Sequence, residues 1–422
     1  MVTKTPRKSN AKTSPGRGGK KTRPNPAGDS PLRVDRDAAL QLVLDLIAIP
    51  GGSGKEGQVA QYIVDQLKAA GAAESDLRFD NAHRKSPFGG EVGNLIFQMP
   101  GTVKGPRRLL MAHMDTVPIC VGAKPVVRGK FIHAESAQTG LGGDDRSGVA
   151  VTLGAALRIL QNKLPHPPLT FLWTIEEEVG LYGARHVQAS LLGKPRLAFN
   201  WDAGPSAKIV MGATGGYRMS IVVEGLASHA GNAPEKGVSA IAIASLAIAE
   251  LVREGWHGDI RKGNRRGTSN VGVIHGGEAT NVVTERVELK AEARSHDPAF
   301  RTQIVKAIEK AFQRAVKEVT SSAGKHGKIT IDGRLDYESF RLADDEPSVL
   351  AAEAAVRSVS VEPVRSITNG GLDANWMNVH GIPAVTLGCG QSDIHTTSEK
   401  LDLEEYYRGC AVALRLATGN GA

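Results

Sequence analysis

The sequence predicts an α/β fold: a mixed, largely parallel sheet interrupted by an inserted α+β unit of two helices on an antiparallel sheet. Three observations carry this. Short, mostly apolar runs ("RRLLMA", "LTFLWT", "RLAFNW", "PAVTLG") alternate with amphipathic helical segments, as expected of strands covered on both faces. In the middle of the chain, "YRMSIVVEGL" and "ERVELKAEARS" alternate polar and apolar residues instead, which marks half-exposed strands. The chain has 422 residues, long for one core, so two domains are expected.

Taken in order, residues 1–33 hold nine Lys/Arg and one Asp. With many Pro, Gly and Ser and no apolar periodicity, they read as a disordered, solvated basic tail. The remainder carries 43 residues of each sign. The overall charge of +8 therefore belongs to the tail, and a basic groove for a specific nucleic acid is not supported. From Val34 the pattern turns globular. "RDAALQLVLDLIAI" is an amphipathic helix stopped by Pro50 and Gly51, and "EGQVAQYIVDQLKAAGA" is a second. "DRSGVAVTLGAALRILQN" and "LDLEEYYRGCAVALRLA" are helices lying between or after the strands. The inserted unit adds the helices "GVSAIAIASLAIAELVREG" and "PAFRTQIVKAIEKAFQRAVKEV" and the strand "KITIDGRLD". The expected division is 34–210, first part of the α/β domain; 211–337, inserted unit; and 338–422, second part. No apolar run reaches the roughly 18–20 residues of a membrane span. Cys120, Cys389 and Cys410 are scattered, with no CxxC. That suits a reducing cytoplasm and argues against a disulfide scaffold or a thiolate metal site.

The acids and histidines fall in telling places. In open α/β sheets, ligands gather beyond the carboxyl ends of the strands. "RRLLMA" runs into His113 and Asp115, and "LTFLWT" into Glu176, Glu177 and Glu178. "RLAFNW" runs into Asp202, and "PAVTLG" leads to His395. "GLGGDDRSG" places Asp144 and Asp145 at the start of a helix. Each stretch alone has a plainer reading: a turn, a solvated helix start, an N-cap or a structural histidine. Together they suit Zn²⁺, Co²⁺ or Mn²⁺ in a hydrolytic site. Two cations about 3.5–4 Å apart need a carboxylate between them, and a glutamate outside the ligand set must move protons.

The stretches "LLMAHMDTVP", "GLGGDDRSGVA", "TIEEEVGLYGA", "NWDAG", "GLASHAGNAPEKGVSA", "GGEATNVV" and "GIPAVTLGCGQSDIHTTSEKLDL" resemble the M20 family of di-zinc metallopeptidases, in its peptidase T-like, tripeptide aminopeptidase-like branch. The resemblance implies two Zn²⁺ per subunit, with Co²⁺ or Mn²⁺ as substitutes, and a water bridged by the metals. It implies His113, Asp144, Glu178, Asp202 and His395 as metal ligands, with Asp144 bridging and Asp145 holding the loop. Asp115 would orient His113, and Glu177 would be the general base. His229, Asn281, Arg294, Gly370 and Gly371 would contact substrate. The inserted unit would be a lid that forms a homodimer, and the substrate a short peptide cut near its N-terminus. One position departs: peptidase T has an Arg before the paired glycines, where this chain has Asn369, with Arg365 the nearest upstream. A carboxypeptidase or N-acyl-amino-acid amidohydrolase of the same fold is the alternative enzyme. A non-catalytic metal- or polyanion-binding protein is the alternative of another class.

Overall fold

The computed structural model describes residues 32–419; the predicted basic tail lies outside them, apart from Leu32 and Arg33. A nine-stranded sheet forms the centre of the larger unit. Its middle four strands are neighbours in the order Leu169–Thr174, Arg108–His113, Leu197–Ala203 and Ala384–Gly388, all parallel. These are the four apolar runs of the sequence. Every residue of Arg108–His113 and Leu169–Thr174 is buried, which is why they read as continuous rather than alternating. Alternate side chains still divide between the two faces. Leu110, Ala112, Phe171 and Trp173 pack under helices Arg36–Ala48, Gly57–Ala69, Gly143–Asn162 and Leu403–Thr418, whereas Leu109, Met111 and Leu172 pack on the opposite side with Ala184, Ala374 and Met377.

The chain leaves this sheet after strand Lys208–Ala213 and returns at Phe340–Arg341, which pairs with it. Between them lies a five-stranded antiparallel sheet. Met211–Ala213 still belong to the large sheet, so the crossing comes at Thr214, past the expected residue 211. Helices Ala240–Arg253 and Pro298–Glu318 cover one face, burying Met219, Ile221, Val223, Leu289 and Phe312. Two of its strands, Gly258–Lys262 and Arg265–Gly276, had no sequence signal. They sit at the sheet edge, largely exposed, and carry charges that blunt an edge.

A further four-stranded sheet joins Pro125–Arg128, Phe131–Ala134, Gln391–Ser392 and Lys400–Asp402. Its strands are two to four residues long, too short for any periodicity to show. The hairpin between its last two strands carries His395 and Glu399. Among the described residues, no helix is long and apolar enough to cross a membrane.

Candidate metal centre

Four parallel strands end at one edge, and the acids arrive with them. His113 is the last residue of its strand, Glu176, Glu177 and Glu178 follow Thr174 directly, and Asp202 is next to last in its own. His395 comes in on the hairpin beyond Gly388. Asp144 enters at the first turn of helix Gly143–Asn162. That helix can approach because Gly148 has no side chain: a Cβ there would fall 2.3 Å from the Trp201 carbonyl oxygen.

Asp144 joins the two histidines. Its Oδ1 lies 3.2 Å from His113 Nε2 and its Oδ2 3.1 Å from His395 Nε2. Glu178 Oε2 lies 3.0 Å from the same His395 nitrogen. The other nitrogen of His113, Nδ1, lies 3.1 Å from the Asp115 carbonyl and 3.4 Å from its Oδ1. Asp115 is fully buried and also accepts from Ser53 Oγ (2.6 Å) and from the amides of Glu177 (3.0 Å) and Glu178 (3.2 Å). One carboxylate thus sets both the His113 ring and the backbone of the acidic triplet.

The neighbouring acids separate by their contacts. Asp145 has donor atoms within 4.8 Å of those of His113 and Asp202. However, its two oxygens already accept from the amides of His113 (3.1 Å) and Gly148 (3.0 Å), which favours a loop-holding role. Glu176 turns away: its Oε2 accepts from Ser86 Oγ, and its amide donates to Glu56 Oε1 at 3.0 Å. Its φ of 51° is one of several left-handed non-glycine values around the site, with Leu181, Asp393 and His395; such clustering is typical of functional loops. Glu177 differs from both, since no side chain or amide among the described residues hydrogen bonds its carboxylate.

Environment pushes these groups in opposite directions. Burial alone would lower the His113 pKa, but hydrogen bonds to Asp115 and Asp144 outweigh it and hold the value well above normal. Asp144 is buried, yet its pKa is lowered, because both histidines bond to it. His395 is pushed up to about 10 by Asp144 and Glu178. For Glu177 and Asp202 burial, reinforced by acidic neighbours, outweighs the attraction of His113 and raises both well above the carboxylate range. Burial likewise raises Glu178.

The residues present fit a pair of divalent cations. Two imidazoles and three carboxylates converge, and no Lys or Arg forms an ion pair with the cluster among the described residues. The acids are buried against one another, and bound cations would offset their repulsion. His113, Asp144 and Glu178 form a group with donor atoms within 4.8 Å, and His113, Asp145 and Asp202 form another.

The five expected substrate contacts lie elsewhere. His229 is in an exposed loop of the inserted unit and bridges to Val282; the amide of Ala230 donates to the Asn281 carbonyl. None of the described interactions joins either residue to the cluster. Arg294 donates from Nε and Nη2 to Glu292 (3.0 and 2.9 Å) and from Nη1 to the Asn369 carbonyl (3.4 Å). This places it beside the glycine loop, already paired. Within that loop Gly370 is open, but Gly371 packs on the Tyr337 ring, where a Cβ would fall 2.7 Å from a ring carbon.

Three contributors escaped the sequence reading. Glu399 accepts from the amides of Leu141 (2.9 Å), Gly142 (2.8 Å) and Asp144 (3.0 Å), so it fixes the turn that presents Asp144. Its position four residues past His395 was the available signal. Gln391 Nε2 lies 3.4 Å from both Asp144 Oδ1 and Asp202 Oδ1. Asp373 is buried, accepts from Thr174 Oγ1, and is pushed up to about 6 mainly by burial. Nothing in the sequence singled out these last two. Replacing Glu399 by Gln turns an acceptor into a donor facing those amides. Metal affinity should fall roughly 10–100-fold, as for other partners behind a ligand; a zinc titration of the two proteins measures it.

Residues 109–419 match the peptidase family M20/M25/M40. The chain belongs to this family. As an M20 peptidase it is 30% identical over 373 residues to the uncharacterized protein YqjE of Bacillus subtilis strain 168, covering 88% of this chain and 95% of that protein. A tripeptidase from Staphylococcus aureus Mu50 superposes with a TM-score of 0.82 at 31% identity, covering 92% of this chain and 99% of that one. The aminopeptidase PepT of Bacillus cereus ATCC 10987 gives 0.78 at 29% identity, covering 91% and 98%. The similarity therefore runs to the peptidase T-like branch of the M20 peptidases.

Proposed function

We propose that the protein is an aminopeptidase of short peptides that uses two zinc ions per subunit and Glu177 as general base. The observation that carries this is Asp144, which turns one oxygen to His113 and the other to His395. A single carboxylate facing two separate ligand sets suits a bridged pair of cations. Asp202 and Glu178 would complete the two sets.

Bound cations supply Lewis acidity toward the scissile carbonyl and lower the pKa of water. The chain's residues supply the rest. Glu177 stands beside the ligand Glu178 with its carboxylate uncommitted. It takes the proton of the attacking water and returns it to the leaving nitrogen. Asp115 keeps this base and the His113 ring in place. His229 Nδ1 accepts from the amides of Gly231 and Asn232, both at 3.1 Å. Those bonds leave the proton on Nε2, ready to donate to a developing oxyanion.

A second subunit is the proposed route by which His229 reaches a site. Strand Gly258–Lys262 covers only Arg265–Ser269 of its neighbour. On that side the Val271 amide donates to His257 Nε2 at 3.3 Å, but Gly272–Gly276 pairs with no strand among the described residues, and Val273, Ile274 and the nearby Ile241 and Val282 are exposed. A free apolar edge of this kind invites pairing with a second copy. Ile274→Lys should turn a dimer into a monomer in sedimentation and, by removing an oxyanion donor, lower kcat roughly 10²–10³-fold.

The function itself is tested on di- and tripeptides with free or blocked termini, in Zn²⁺, Co²⁺ and Mn²⁺. Release of the first residue from peptides with a free amino end is expected. Cleavage confined to N-acylated substrates, or from the carboxyl end, would replace the aminopeptidase with an amidohydrolase or a carboxypeptidase. Metal binding without any turnover would refute catalysis.

A further inference from the structure

The hairpin that brings His395 into the site carries another polar side chain, Gln391, whose task the peptidase reading leaves open. Gln391 lies in the short strand Gln391–Ser392, paired with Lys400–Leu401, and is 4% exposed. Its backbone is tied to the strand that carries Asp202. The amide of Cys389 donates to the Ala203 carbonyl at 2.9 Å, and that of Gly390 to the Gly204 carbonyl at 2.7 Å. This approach needs glycine at 388, where a Cβ would fall 1.9 Å from the Pro205 carbonyl oxygen.

The side chain is oriented at both ends. Its Oε1 is an acceptor, with Ser147 Oγ at 3.1 Å and Cys389 Sγ at 3.5 Å, both groups fully buried. Its Nε2 faces Asp144 Oδ1 and Asp202 Oδ1, each at 3.4 Å. The reverse orientation would set a carbonyl oxygen against two carboxylates. A primary amide has two N–H groups. One nitrogen can therefore serve both acids, at the long end of the hydrogen-bond range.

The contact is selective. The Asp144 oxygen it reaches is Oδ1, the one that faces His113; Oδ2 faces His395. Both of its partners, Asp144 and Asp202, thus belong to one ligand set. The amide is also neutral. A Lys or Arg here would satisfy the acids and compete with a cation, and a Glu would add to their repulsion. Glutamine holds the two carboxylates together without either effect.

We propose that Gln391 is a positioning residue for the cation of His113, Asp144 and Asp202: its amide fixes the two carboxylates relative to one another, and it supports this cation in preference to the one at Glu178 and His395. The assignment rests on the two-cation reading above. One hairpin then serves both ions, with His395 a ligand of one and Gln391 a brace for the other.

The test is a calorimetric zinc titration of the metal-free protein, with its melting temperature measured alongside. Gln391→Met removes both donors at nearly constant volume. Ser147 and Cys389 keep other acceptors, the Gly143 and Ala203 carbonyls, so the substitution orphans no donor. The wild type should bind two zinc ions. The variant should bind one as the wild type does and the other roughly 10–100-fold more weakly, with the metal-free melting temperature unchanged. Anomalous diffraction from variant crystals at limiting zinc should place the remaining ion beside Glu178 and His395. Gln391→Leu, equally without a donor, should give the same pattern, and it carries the test should the methionine variant not fold. Weakening of both ions alike, of neither, or of the Glu178 ion alone would overturn the assignment while leaving the two-cation reading standing. So would a lowered melting temperature of the metal-free variants, which marks a merely structural role. A wild type that binds fewer than two zinc ions would overturn both.

Discussion

Glu177→Gln should lose turnover by roughly 10²–10⁴-fold, the usual contribution of a positioned general base, while binding metal as the wild type does. The substitution preserves shape and removes only the ability to accept a proton. It should disturb little else, because no hydrogen bond holds the Glu177 carboxylate among the described residues. Its amide, which donates to Asp115, is unchanged. Glu178→Ala should behave differently. Glu178 faces His395 at 3.0 Å, so its loss opens one ligand set and metal should leave with activity. Kinetics and metal analysis on the two variants separate a base from a ligand one residue apart. If both variants lose metal equally, the triplet has been read in the wrong register.

Asp144→Ala should be the most damaging change to metal binding. It removes the carboxylate that faces both histidines, so both sets are broken at once. Affinity should fall by more than the roughly 10–100-fold that outer partners cost, and activity should fall to background. The protonation of the metal-free protein gives a second readout. Asp144 and Glu178 hold His395 at about 10, and Asp115 and Asp144 hold His113 high. Both rings are therefore protonated at neutral pH, whereas a metal binds the neutral imidazole. Metal uptake by the wild type should release protons, and its affinity should rise with pH up to about 10. In Asp144→Ala both histidines lose a partner that favours the charged form, so proton release should shrink. Calorimetry in buffers of different ionisation enthalpy measures it.

Much of the core, and the gathering of acids and histidines at the strand ends, was legible because burial leaves a pattern. Strands covered on both faces must be apolar throughout, so Leu169–Thr174 and its neighbours stood out, and the acids at their ends stood out against them. What stayed hidden lacks a pattern of its own. The edge hairpin 258–276 is exposed and charged, like a loop. The strands around His395 are too short for a period to develop. Glu399 and Gln391 act through hydrogen bonds to turns whose shape no local spacing encodes. Arg294 was legible as a lid residue, but its pairing with Glu292 depends on the register of one strand.

Asp144 should stand between two metal ions. Anomalous diffraction at the zinc edge, from crystals of the zinc-loaded protein, tests it directly. Two peaks about 3.5–4 Å apart should flank the Asp144 carboxylate, one beside His113 and Asp202 and the other beside Glu178 and His395. A single peak, or a pair centred on Asp145, would contradict it.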